Sequence, residues 1–206
     1  RRRVQFLSRE EITMNRTYVI TGAGSGIGAA TAKALKDLGN TVIGVDLKNS
    51  DIDADLSTPL GRHDGAKKVI QASNGSIDAV IACAGLAHPT AQTVSVNYFG
   101  VTEFLFALLP TLSKSKTPRV AITSSVASIM PNSPELVEAM CANDETKALE
   151  IAQALVSAGG GAEDLIYGST NSYIADYSSI IFTIDEKNLR SYYISQPALF
   201  SYIDQS

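Results

Sequence analysis

The sequence predicts an α/β fold with a doubly wound parallel sheet, and three observations carry that expectation. A glycine-rich turn, Thr21-Gly22-Ala23-Gly24-Ser25-Gly26-Ile27-Gly28, follows the apolar run Tyr18-Val19-Ile20 and opens into an alanine- and leucine-rich segment. Short apolar runs then recur at 41–46, 52–57, 77–82 and 118–123. Helix-like stretches separate them, closed by Gly39-Asn40 and Asn74-Gly75. Short apolar runs alternating with helical segments are the pattern of βαβ units, which build a parallel sheet with helices on both faces.

Bulk properties bound the function. A chain of 206 residues, 45% hydrophobic and 18% charged, suits one globular domain with a substantial core. The net charge of −4 argues against nucleic acid or an anionic membrane as partner. No apolar run approaches the ~20 residues of a membrane span. Two cysteines, Cys83 and Cys141, give no disulfide framework and suit a reducing, cytoplasmic compartment. The histidines, His63 and His88, lie in loop-like contexts, so no metal is expected.

Residues 1–13 carry three arginines but also Glu10 and Glu11, which sit badly with a targeting presequence; they read as an extension ahead of the periodic part. The first strand, about 16–21, leads through the glycine turn into a helix over about 26–38. Glycines there permit a tight turn, close backbone approach to a phosphate and close packing of helix on strand. Unpaired amides of the helix N-terminus then face an anion. Gly22, Ser25, Gly26, Ile27 and Gly28 are therefore candidate cofactor contacts, although a glycine turn can also join strand to helix with no ligand. The second strand ends in Asp46, placed as an acid that hydrogen-bonds adenosine ribose hydroxyls and repels a 2′-phosphate. That favours NAD over NADP, with Lys48 nearby pulling the other way; the plainer reading of Asp46 is a loop or cap residue. A helix over 59–73 follows, with Ser57 or Thr58 able to cap it ahead of Pro59. A helix from about Val94 is expected to stop near Leu109, before Pro110. Residues 118–123 read as a fifth buried strand, and 134–161 as a helical segment closed by three glycines.

The glycine spacing T-G-x-x-x-G-x-G resembles that of the short-chain dehydrogenase/reductase family, and further matches extend over the first ~170 residues. The resemblance implies a Rossmann-type fold and reversible oxidation of a secondary alcohol to a ketone. It also implies adenine contacts from Asp55-Leu56 and a cofactor border at Cys83-Ala84-Gly85, where the family usually has Asn-Ala-Gly. The alternatives are a helix cap for Asp55 and a small buried packer for Cys83. In the helix, Asn97 matches the residue that holds a water in a proton relay. Within Ser124-Ser125-Val126-Ala127-Ser128, Ser125 matches the substrate-carbonyl anchor, though a serine cluster at a strand end is otherwise only a turn. Tyr167, 42 positions beyond Ser125, matches the general acid/base; the family has little more than a dozen residues there, so 134–161 reads as an inserted helical segment. The wide spacing, with C-A-G-L, V-S-V-N-Y-F-G and S-S-V-A-S, resembles the bacterial 3-alpha-hydroxysteroid dehydrogenase/carbonyl reductase branch. This branch implies a small-molecule alcohol or ketone, a steroid included, as substrate. Family members pair through helices around Asn97 and Tyr167, which the segment 134–161 is placed to cover; a homo-oligomer is among the expected partners.

The pattern breaks at one residue. The family requires Y-x-x-x-K, whose lysine binds the nicotinamide ribose and lowers the tyrosine pKa by its charge; this chain has Asn171. All 15 glycines precede residue 172, while five of the eight tyrosines fall after it. The expectation is a dinucleotide-binding domain over 14–171, truncated at its C-terminal side, with 172–206 as a non-family tail that does not complete the sheet. The function expected is an NAD-dependent oxidoreductase with impaired activity. A catalytically inactive nucleotide-binding remnant, or a truncated gene product, is the alternative.

Overall fold

The computed structural model of the chain describes residues 15–178 and 182–183. Its elements run β1 (Thr17–Thr21), α1 (Gly26–Asp37), β2 (Thr41–Asp46), β3 (Ile52–Asp53), α2 (Pro59–Ala72), β4 (Ala79–Ala82) and α3 (Ala91–Leu112). They continue with β5 (Arg119–Ile122), α4 (Pro134–Cys141), α5 (Glu145–Ala158), α6 (Asp164–Ser178) and β6 (Phe182–Thr183). The sheet order is β3-β2-β1-β4-β5-β6, and the first five strands are parallel. The chain winds outward from β1 to β3, then crosses back to β4 on the other side. The order therefore reverses between β1 and β4, and in open α/β sheets ligands bind at the carboxyl ends of the strands there.

Strand alternation builds two cores. Along β1, successive side chains point to opposite faces. Val19 enters the larger core with Phe99, Phe104 and Leu108 of α3, and Ile20 the smaller one with Ala32 of α1 and Val42 of β2. Three helices begin as local chemistry dictates: Thr58 accepts from the Gly61 N–H, Ser133 from Leu136 and Asp144 from Lys147. Each such cap contributes about 1 kcal/mol, and Pro59 and Pro134 occupy the first turns, where a missing N–H costs nothing.

Three expectations need correction. The third helix does not stop before Pro110 but runs to Leu112. A proline in a helix costs roughly 3 kcal/mol. Leu108 and Leu112, both 0% exposed, offset that, at about 1.5–3 kcal/mol for each buried leucine. The same 22-residue helix is long and apolar enough, by length and composition, to cross a membrane. The sequence reading missed this because it took the helix as shorter; here it packs on the sheet and α2, half of it buried. β5 is not buried on both faces: Val120 is buried while Ala121 is exposed, because among the described residues no helix covers β5 on the α1 side. Beyond β5 the described residues add only Phe182 and Thr183, which pair antiparallel with Val120 and Arg119.

The helical segment 134–161 folds as two helices, α4 and α5. They break at Asn143, whose φ is 54°, and end in Gly159, Gly160 and Gly161, all with positive φ. Helix α5 packs against the first turns of α3, and both α4 and α5 pack against α6. The segment thus covers the helices around Asn97 and Tyr167.

Candidate active site

The glycine turn closes onto the end of β4 at the reversal point. A Cβ on Gly28 would lie 2.2 Å from the Gly22 carbonyl oxygen, so no side chain fits there. Gly22, with φ 71°, is closed to a side chain as well: a Cβ would meet the Ala84 N and the Cys83 carbonyl carbon at 2.8 Å. Thr21 sets that contact, its buried Oγ1 accepting from the N–H groups of Cys83 and Ala84, each at 3.2 Å. The sequence reading placed Thr21 in the motif without giving it this task, because pairing between strand ends is not visible in spacing.

Ser25 is the extended N-cap of α1, yet its side chain makes no capping bond, and the first turn holds no acid. The positive end of α1 is therefore left for an external anion. Ile27, 71% exposed, stands at the mouth of the turn beside Gly26, whose φ is 52°.

Asp46 holds the turn from the other side. Its Oδ2 accepts from the Gly24 N–H at 2.8 Å and its Oδ1 from the Leu47 N–H at 2.6 Å. Two carboxylate oxygens have lone pairs to spare after these bonds. Asp55 is exposed and its Oδ1 accepts from both the N–H and the hydroxyl of Ser57, at 2.9 and 2.6 Å. Thr58, not Asp55, caps α2. Leu56 points the other way: its side chain is buried in the larger core and its carbonyl accepts from Arg62 Nη1 at 3.2 Å.

The run Cys83-Ala84-Gly85 leaves β4 between the turn and α3. Cys83 is half-buried, and desolvation pushes its thiol above the usual range, with a hydrogen bond from Thr123 pulling partly back. Asn97 lies in a π-helical turn, Ser95–Phe99, inside α3; such turns recur at functional sites. Its side-chain amide is committed at both ends to Leu86, accepting from the N–H at 2.7 Å and donating to the carbonyl at 2.8 Å. Asn97 thus clamps the exit of β4 to α3.

Ser125 is an extended N-cap for the 3₁₀ turn Val126–Ile129, its Oγ accepting from the Ala127 N–H at 3.3 Å. Helix α6 runs alongside this segment. Ser124 Oγ donates to the Asn171 carbonyl at 3.4 Å, and the Ser133 N–H donates to Ser169 Oγ at 2.9 Å. Gly168 is needed for this approach, since a Cβ would meet the Pro131 carbonyl oxygen at 2.1 Å. Ser125 and Tyr167 therefore sit on elements held side by side. Among the described residues the Tyr167 hydroxyl makes no hydrogen bond. Asn171 lies one turn beyond, 7% exposed, and its Nδ2 donates to the Tyr167 backbone carbonyl at 2.9 Å. Its amide thus bonds back onto its own helix. Beside Ser125, Val126, Ile129 and Met130 are 75%, 84% and 51% exposed and form an apolar rim.

Comparison with known proteins agrees with this architecture. The 3-alpha-hydroxysteroid dehydrogenase/carbonyl reductase of Comamonas testosteroni is 39% identical over 160 residues, 75% of this chain and 61% of that protein. The chain thus spans less than two thirds of that relative's length. The crystal structure of the 3-alpha-hydroxysteroid dehydrogenase from Pseudomonas sp. B-0831, complexed with NADH, superposes with a TM-score of 0.72 at 36% identity, over 85% of this chain and 73% of that one. Salutaridine reductase from Papaver somniferum shares the fold, with a TM-score of 0.61 at 17% identity over 79% of this chain and 80% of that one. The sequence pattern of the short chain dehydrogenases matches residues 16–137. The chain belongs to the short-chain dehydrogenase family.

Proposed function

We propose that this chain binds NAD in preference to NADP, and that its site interconverts secondary alcohols and ketones, hydroxysteroids among them, with impaired turnover. The observation that carries the reading is the cradle at the reversal point, where a Cβ on Gly28 or Gly22 would strike backbone. Its bare backbone and the unneutralised end of α1 fit the pyrophosphate of a dinucleotide. Gly22, Ser25, Gly26, Ile27 and Gly28 would hold that group, Asp46 the adenosine ribose, Asp55 and the backbone N–H of Leu56 the adenine side, and Cys83, Ala84 and Gly85 the inner border. NAD, when bound, supplies the hydride chemistry. The chain's own residues handle the proton and the substrate. Ser125, whose hydroxyl still has a proton to donate, would anchor the carbonyl oxygen. Tyr167 would hold the exchangeable proton at its hydroxyl, and Asn97 would keep the β4 exit in register with α3. The apolar rim of Val126, Ile129 and Met130 supports a large apolar substrate such as a steroid, because it offers dry contact area beside Ser125.

Impairment follows from residue 171. The family lysine would place a cation beside the phenol and favour its ionised form, and Asn171 brings no charge. A second reading, a nucleotide-binding protein without turnover, draws on the same residue: Asn171 is uncharged and its amide bonds the Tyr167 backbone carbonyl.

Cofactor choice is tested by thermal protection with NAD and NADP at matched concentrations, on the chain as it stands and on Asp46→Asn. NAD is expected to protect the parent more than NADP, since a carboxylate meets a 2′-phosphate there. The variant should narrow or reverse that difference. Equal protection of the parent by both cofactors would remove Asp46 from the role.

A further inference from the structure

Outside the cradle, Arg62 of α2 is the most heavily engaged charged side chain among the described residues. It is 1% exposed, and its guanidinium faces three elements at once. Nε donates to Glu103 Oε2 of α3 at 2.7 Å, Nη2 to Glu145 Oε2 at the start of α5, and Nη1 to the Leu56 carbonyl at 3.2 Å. The same group lies 6.0 Å from the Phe99 ring centroid. Leu56 belongs to the loop that carries Asp55, so the cation ties that loop to α3 and to the inserted helix α5. Two further observations join the same parts. Gly100 lets α3 come within 3.1 Å, measured from an added Cβ, of the Leu56 carbonyl oxygen. Ser57 shares the wall of an open groove of about 550 Å³ with Thr146 and Glu150 of α5.

We infer that Arg62 is a positioning residue for the adenine-side loop 55–57, and that Glu145 of the inserted helix sets its direction, so that the insertion tunes nucleotide affinity. The inference rests on the nucleotide reading above. A guanidinium is a planar fork whose donors cannot be aimed separately. With Glu103 and Glu145 holding two of its nitrogens, the third donor is fixed on the Leu56 carbonyl. Loss of either carboxylate lets the plane turn, and a buried cation missing one partner seeks another. The loop then loses the bond that fixes its carbonyl, and Asp55 moves with it. Glu145 Oε1 is buried without a partner, so Glu145→Gln breaks no other bond there; it exchanges the charge-assisted bond to Arg62 Nη2 for a weaker neutral one, which frees the plane to turn.

The test measures NADH and AMP dissociation constants well below the melting temperature, for the full chain and for Glu145→Gln, Glu103→Gln and Ala152→Gly. The last variant weakens the interior of α5, where Ala152 is 0% exposed, without touching Arg62. Glu145→Gln is expected to weaken NADH and AMP by the same factor, roughly three- to tenfold. Ala152→Gly should lower the melting temperature yet leave both constants within about twofold. Unchanged constants in Glu145→Gln, or an equal loss in Ala152→Gly, would overturn the inference and leave the nucleotide reading standing. A parent chain that binds neither NADH nor AMP would overturn both. If Glu145→Gln does not fold, Glu103→Gln decides, since Glu103 is 33% exposed and holds the same guanidinium.

Discussion

Cys83 shows how one side chain can border a site and still be inert. Its thiol sits half-buried at the end of β4, and burial pushes it above the ordinary thiol range. The thiolate is the reactive form, so alkylation by iodoacetamide should be slower than for a small free thiol at neutral pH. The rate should rise only at a pH above that thiol's own midpoint. Peptide mapping after timed alkylation, with Cys141→Ser to isolate the signal, measures it. The sign of the linked stability follows. A group whose folded pKa is raised keeps its full contribution below the unfolded thiol pKa and loses it as pH rises through the folded one. The unfolding midpoint should therefore fall more steeply on the alkaline side in the parent than in Cys83→Ala. A fast, pH-independent alkylation at neutral pH would contradict the burial argument.

At the scale of elements, the site is a junction of strand ends, and Thr21 is its pin. Ala84 N–H depends on the Thr21 hydroxyl, whereas Cys83 N–H also reaches the Thr21 carbonyl. Thr21→Val keeps the shape and removes the acceptor, leaving one amide orphaned at a cost of about 1–3 kcal/mol. A urea melt should show that loss, with nucleotide protection reduced as the Gly22 contact with Cys83 and Ala84 loosens; a melt identical to the parent's would refute the pin. This junction also marks what the sequence could and could not disclose. β2 begins and ends where its apolar run does, at Thr41 and Asp46, because the run and its flanking turn residues agree. The glycine turn was legible because a βαβ unit with no room for a side chain announces itself in composition. The end of α3 was not, because a local rule about Pro110 was outweighed by the burial of Leu108 and Leu112, a tertiary fact. The same holds for Asn97 and Arg62. An asparagine in a helix signals a task, but its partner Leu86 lies across a loop, and Arg62 meets Glu145 from 83 residues away.

For the whole molecule, the question is whether one substitution explains the impairment proposed for Tyr167. Among the described residues only α1 covers the sheet face on its side, and β5 is bordered by just the two residues of β6. The chain spans 61% of the Comamonas relative. Asn171→Lys alone would supply the charge and a second donor one helical turn from Tyr167. The charge is worth about 1.4 kcal/mol for each unit by which the phenol pKa falls. Position matters as much, since a misplacement of ~1 Å can cost on the order of 100-fold in rate. Water on the part of that face which the described residues leave uncovered would also weaken electrostatic effects inside it. The two defects should mask each other. Three proteins separate them: the chain as given, Asn171→Lys, and Asn171→Lys with residues 172–206 replaced by the matching segment of the Comamonas relative. Assayed with NAD against hydroxysteroids and simple secondary alcohols, turnover is expected in the third and little in the second. Strong turnover by the second would make Asn171 the whole defect. Turnover by the unmodified chain would show that Tyr167 works without a neighbouring cation, and would remove the impairment from the proposed function.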